Sequence, residues 1–223
     1  MSEIAPVEYF KQNHYVVIKN FIPEAALGLY YEYCIMQAQA IDYKIAKYPK
    51  FWHCQWDGRF NDPMCPGVFA KYGDMLMETT MKLLTGKAEE YTGLKLNPNY
   101  TFWRLYEKDS ELKKHTDRPS CEISATINLG SNTSNVDKEV YPDYEWPIFL
   151  KTKEGKELPV KLNPGDAMIY KGYELEHWRE KFIGLNNAQV FFHWCEKDGK
   201  LNNIYDGRPL LGVAKDLFEQ SEE

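Results

Sequence analysis

A chain of 223 residues holds one large domain or two small ones, and no linker-like stretch divides it. Hydrophobic residues at 43% and aromatics at 15% suffice for a packed core, which excludes disorder over most of the length. The formal net charge of −6 argues against nucleic acid or an anionic membrane as partner, because neither polyanion would be attracted.

No apolar run approaches the length of a bilayer span, and the opening "MSEIAPVEYF" has neither a basic nor an apolar leader segment. Five scattered cysteines (Cys34, Cys54, Cys65, Cys121, Cys195) form no Cys-x-x-Cys pair, so zinc ribbons and thioredoxin-type centres are disfavoured. Unpaired thiols and a cytoplasmic location follow as the plain expectation.

In chain order, "EYFKQNHYVVIKNFIP" predicts a short helix and then a strand around Tyr15 to Ile18, whose β-branched residues suit a pleated surface. Pro23 stands where a first helical turn tolerates proline, ahead of the helical "EAALGLYYEYCIMQAQA". The Gly-, Pro-, Asn- and Asp-rich "FWHCQWDGRFNDPMCPG" reads as a long loop, with Trp52, Trp56 and Arg59 placed to form a lid or simply to pin that loop. From Val68 the spacing predicts two helices broken near Thr85-Gly86. From Asn97 onward, short segments rich in aromatic and β-branched residues alternate with turn signals such as Pro164-Gly165-Asp166, and seven or eight strands in succession predict an antiparallel sandwich or barrel. Tyr205 to Pro209 reads as a closing strap without a catalytic role.

Within "ELKKHTDRPSCEIS", His115 and Asp117 stand two positions apart, which on a strand puts both side chains on one face. His177, in "YELEHWRE", offers a second imidazole, and two imidazoles with one carboxylate form a facial triad suited to Fe(II) with positions left open. Taken alone, a His-x-Asp pair is more commonly a solvated polar corner or loop pair. Arg118 could meet an anionic substrate or end a strand in solvent, and His193 reads as a hydrogen-bonded core or edge histidine rather than a fourth ligand.

The run "WRLYEKDSELKKHTDRPSCEISATINLG", followed by "LNPGDAMIYKGYELEHWRE" and "AQVFFHW", resembles the iron(II)- and 2-oxoglutarate-dependent dioxygenases, in particular their prolyl-hydroxylase-like branch. The resemblance covers about residues 97 to 195. It implies an α+β chain, mainly β in its C-terminal half: a double-stranded β-helix (jelly-roll or cupin-like) barrel. The expected arrangement is one domain over 1–223, with supporting helices over about 1–96 and a strap over 196–223. It implies further that His115, Asp117 and His177 bind iron, that Tyr106 hydrogen-bonds the cosubstrate, and that 2-oxoglutarate and dioxygen are consumed to hydroxylate a small molecule or a peptide, with ascorbate as a stimulating reductant.

The family's usual basic anchor for 2-oxoglutarate, nine to eleven residues after the distal histidine, is replaced here by Asn186, Asn187 and Ala188. Arg179 follows His177 by two, points into the barrel if the strand is regular, and is expected to take the anchoring role with Tyr106 and the amide of Gln189. A bulge that turned Arg179 outward toward Glu176 or Glu180 is the competing expectation. Two other function classes stay open: a metal-binding barrel of the same fold without turnover, and a zinc hydrolase, which would lack an evident glutamate base.

Overall fold

The computed structural model describes residues 4–47, 57–60, 62–201 and 203–213. Helix α1 (Pro6–Asn13) has proline in its first turn and stops at His14, which takes a left-handed conformation. Strand β1 (Tyr15–Ile18) follows, and Pro23 precedes helix α2 (Glu24–Lys47). Trp52, Trp56 and Cys54 lie outside the described residues. The sequence at 68–74 departs from its helical reading: Phe69–Tyr72 is strand β2, paired with the next strand of the sheet, and Asp74 caps helix α3 (Met75–Thr92) by accepting from the amides of Leu76 and Met77.

Helix α3 runs through Thr85-Gly86 without the expected break. Packing overrides the glycine there. Met77, Met81 and Ala88 are buried on one face, and the Thr85 hydroxyl bonds the carbonyl of Met81 while accepting the indole N–H of Trp194 at 3.0 Å. The helix ends at Gly93, whose φ of 72° is the left-handed conformation of a C-terminal cap.

Eight further strands follow among the described residues: β3 (Leu96–Glu107), β4 (Leu112–His115), β5 (Ile123–Asn132), β6 (Ile148–Lys151), β7 (Glu157–Val160), β8 (Ala167–Tyr170), β9 (His177–Arg179) and β10 (Asn186–Glu196). They form a six-stranded sheet in the order β1-β8-β5-β10-β3-β2 and a four-stranded sheet in the order β4-β9-β6-β7, and every pairing is antiparallel. The larger sheet carries α2 and α3 on its outer face, where Trp103, Val190, Phe192 and Trp194 pack with Ile41, Met77 and Met81. Its inner face holds the alternate residues. Register places Tyr100 opposite His193, Phe102 opposite Phe191, Arg104 opposite Gln189 and Tyr106 opposite Asn187. Both faces are therefore covered, which explains why β3, β5 and β10 read as nearly continuous buried runs. The four described cysteines, Cys34, Cys65, Cys121 and Cys195, are free and buried. Among the described residues no helix is long and apolar enough to cross a membrane.

Candidate metal centre and cavity

Strands β4 and β9 pair so that His115 stands opposite His177. Strand β4 ends at His115, so Asp117 is not the strand neighbour that simple parity suggests. Its backbone has already left the sheet, with its N–H donated to the carbonyl of Gly172 at 2.9 Å. The three side chains nonetheless converge: each imidazole Nε2 lies 3.7 Å from Asp117 Oδ1, and one donor atom from each residue falls within 4.8 Å of the others. His115 donates its Nδ1–H to the carbonyl of Lys113 at 2.7 Å, and His177 donates its own to the carbonyl of Leu175 at 2.9 Å. Both Nε2 lone pairs are thereby directed to the shared point, the usual support for a metal-ligating imidazole. His177 Nε2 meets the Tyr170 hydroxyl at 3.2 Å.

Asp117 is held from behind. Its Oδ2 accepts from the Ser124 hydroxyl at 3.0 Å, and a Cβ at Gly172 would overlap both that oxygen and Ser124 Oγ. Burial alone would push the Asp117 carboxyl up; the fields of His177, His193 and His115, with the Ser124 bond, hold it below the usual carboxylate range. Burial drives His177 below the ordinary imidazole value against the pull of Asp117, so both neutral nitrogen and ionised oxygen are in the form a metal needs. The donor set fits Fe(II): two nitrogens and one carboxylate on one side, with no thiolate.

His193 stacks on Tyr100 at 4.4 Å between ring centroids and meets Ser124 Oγ through Nδ1 at 2.9 Å. The serine has one proton, which goes to the Asp117 carboxylate, so His193 Nδ1 must be the donor in its own bond and Nε2 is left as an acceptor. Burial lowers its titration to about 4. It is therefore neutral at pH 7.

Arg179 points inward and is fully buried, not turned toward Glu176 or Glu180. Its Nη1 donates to the carbonyl of Trp146 at 2.9 Å and its Nη2 to Gln189 Oε1 at 3.1 Å, with Thr126 Oγ1 at 3.5 Å. Its Nε has no hydrogen-bond partner, and no carboxylate among the described residues pairs with it. Burial without an acid pulls this guanidinium down to about 10. Gln189 in turn donates to Asn187 at 2.7 Å while accepting from Arg179, so its amide orients the guanidinium. Tyr106 is fully buried against Trp146, and its hydroxyl accepts weakly from Arg104 at 3.5 Å.

A cavity of about 470 Å³ opens beside the donor cluster, walled by His115, Asp117, His177, Tyr170, Phe191 and His193 among others. Arg179 is not on that wall; it stands opposite Leu112 across the β4–β9 pair, and Leu112 is a wall residue. Arg59, Arg104 and Arg118 also line the cavity. The closing strap does more than the sequence indicated: Asp206, buried, reaches the cavity wall and binds Arg118 Nη2 at 2.7 Å and the Tyr72 hydroxyl at 2.8 Å. Gly172, Ser124 and Asp206 carry no local signal, because each acts on a residue distant in sequence or across a turn. Arg104 was legible in principle, since it precedes Tyr106 by two on an inward-facing strand.

No protein-family model matches the sequence. The fold, however, has solved counterparts. A prolyl hydroxylase from Trichoplax adhaerens, in complex with a hypoxia inducible factor oxygen degradation domain peptide fragment, is 13% identical with a TM-score of 0.57, over 89% of this chain and 91% of that one. EctD from S. alaskensis with bound Fe is 12% identical with a TM-score of 0.58, over 96% of this chain and 85% of that one. HygX from Streptomyces hygroscopicus with nickel and 2-oxoglutarate bound is 10% identical with a TM-score of 0.55, over 92% and 96%. The two facing antiparallel sheets and their helical backing are thus the double-stranded β-helix fold of the iron(II)- and 2-oxoglutarate-dependent oxygenases.

Proposed function

We propose that this chain is an iron(II)- and 2-oxoglutarate-dependent oxygenase that hydroxylates a substrate bound in the cavity beside His115, Asp117 and His177. The observation that carries this reading is Arg179, a buried guanidinium without an acidic partner two strand positions beyond His177. Leaving such a charge unpaired costs several kcal/mol, so the position favours an anion supplied from outside the chain. Two strand positions span roughly 6.6 Å, on the scale of a five-carbon diacid.

In this reading His115, Asp117 and His177 hold the iron, while Arg179 and Tyr106 hold the distal carboxylate of 2-oxoglutarate. Gln189 and the Trp146 carbonyl fix the guanidinium plane. Bound there, the iron and its cosubstrate supply oxidative decarboxylation to succinate and carbon dioxide, with dioxygen as oxidant. The chain's own residues do the rest. The carbonyls of Lys113 and Leu175 aim the imidazoles, and Ser124 holds Asp117 to one orientation. Tyr170 and Phe191, both buried, line the cavity and keep that part of its wall dry.

Two measurements test the proposal. Protein supplied with Fe(II), 2-oxoglutarate, ascorbate and air forms succinate if it turns over, and a barrel that only binds metal does not. In Arg179→Ala the dissociation constant for 2-oxoglutarate is expected to rise about 10- to 100-fold, the worth of a charge-assisted hydrogen-bond pair, with Arg179→Lys intermediate and iron binding retained. Unchanged affinity in the alanine variant would remove Arg179 from the role.

A further inference from the structure

Three arginines from three separate segments meet at one cavity: Arg59 before β2, Arg104 on β3 and Arg118 after Asp117. Arg104 is the deepest, only 8% exposed, yet Asp62 engages it through Nε alone, at 2.7 Å. Of its two η nitrogens, one has the long contact to Tyr106 at 3.5 Å, and neither meets an acid. The rings of Phe102 and Phe191 lie 4.8 and 5.3 Å from the guanidinium and hold its plane. Arg118 spends Nη2 on Asp206 and Nε on the Tyr100 hydroxyl at 3.3 Å.

Charge balance points the same way, and here the inference rests on the oxygenase reading. Iron(II) and a dianionic cosubstrate cancel, as do Asp117 and Arg179. The wall then keeps three guanidinium groups against Asp62 and Asp206, a surplus of one positive charge. We propose that the substrate is a small molecule with a single carboxylate, gripped by the η nitrogens of Arg104, and with an apolar or aromatic body lying on Phe102, Phe191 and Tyr100. The planar fork favours a carboxylate, which it can meet through two parallel bonds. The depth of Arg104 and a volume of about 470 Å³ suit a compact ligand over a broad docking surface.

The test is calorimetry on the anaerobic Fe(II) protein, with and without 2-oxoglutarate. The probes are phenylacetate, 3-phenylpropionate, phenylalanine and 4-methylpentanoate, each compared with its primary amide. At least one acid is expected to bind tenfold or more tighter than its amide, and Arg104→Gln is expected to reduce that preference to threefold or less. Because this variant strands Asp62, the double variant Asp62→Asn/Arg104→Gln is measured beside it, with circular dichroism confirming the fold. Acids and amides binding alike, no acid binding, or a preference that survives in both variants would each overturn the proposal. A 2-oxoglutarate titration of the same wild-type protein reads the oxygenase assignment separately: acid preference with no 2-oxoglutarate binding defeats that assignment and leaves this one standing.

Discussion

Gly172 shows how much of a site can depend on a missing atom. Its backbone carbonyl receives the Asp117 amide, and the space a Cβ would need is filled by Asp117 Oδ2 and Ser124 Oγ. Gly172→Ala is therefore expected to turn the carboxylate away from the two imidazoles. Iron affinity should fall at least about tenfold, the scale of losses seen when outer supports of a metal ligand are removed, while the far-ultraviolet circular dichroism stays unchanged. An alanine variant that titrates with iron as the wild type does would show that the carboxylate adapts. His115, Asp117 and His177 were legible as a candidate cluster because ligand chemistry is written in residue type and spacing. The devices that aim them were not, since Gly172 and Ser124 look like any other small residues until the turn after β8 meets the start of β5.

At the scale of elements, local pattern identified the long strands and the helix after Pro23, and failed where packing decided the outcome. Gly86 looked like a break in α3, but buried methionines and the Trp194 hydrogen bond carry the helix through it. Phe69–Tyr72, "FAKY", lacks the β-branched residues that announce Tyr15–Ile18, and it becomes a strand because the edge of β3 is available to pair with. Helix α3 also fastens the end of the chain: Glu78, in its first turn, binds Arg208 Nη2 at 2.7 Å and also receives the Gly212 amide, and both side chains are almost wholly buried. Burial pushes the Glu78 carboxyl up in spite of Arg208, the expected direction when desolvation is large. Glu78→Ala leaves Arg208 without its acid and is expected to cost about 3–5 kcal/mol in urea unfolding. A loss below about 1 kcal/mol would mean that Arg208 escapes to water, as exposed pairs do.

For the molecule as a whole, acid is the expected weakness of the metal-free form. His193 titrates at about 4 in the fold because it is buried, whereas an unfolded imidazole titrates near 6.5. Between those values the unfolded chain binds a proton that the folded chain refuses, so stability is full above pH 6.5 and declines as pH falls toward 4. His177, also lowered by burial, and Asp117, held low, act in the same direction. The His193 contribution is on the order of 3 kcal/mol, and His193→Gln should visibly flatten the fall in urea midpoint between pH 7 and 4.5. An unchanged slope would remove His193 as a source. Sandwich architecture was readable from alternating short strands, but the order β1-β8-β5-β10-β3-β2 was not, because β1 joins a strand some 150 residues later through contacts no local window contains. The strap has a consequence for biosynthesis. All three proposed metal donors and Arg179 are translated by residue 179, while Asp206, which lines the cavity, and Arg208, which fastens the strap to α3, emerge only after β10. The growing polypeptide thus carries its candidate donors before the strap that completes the cavity wall.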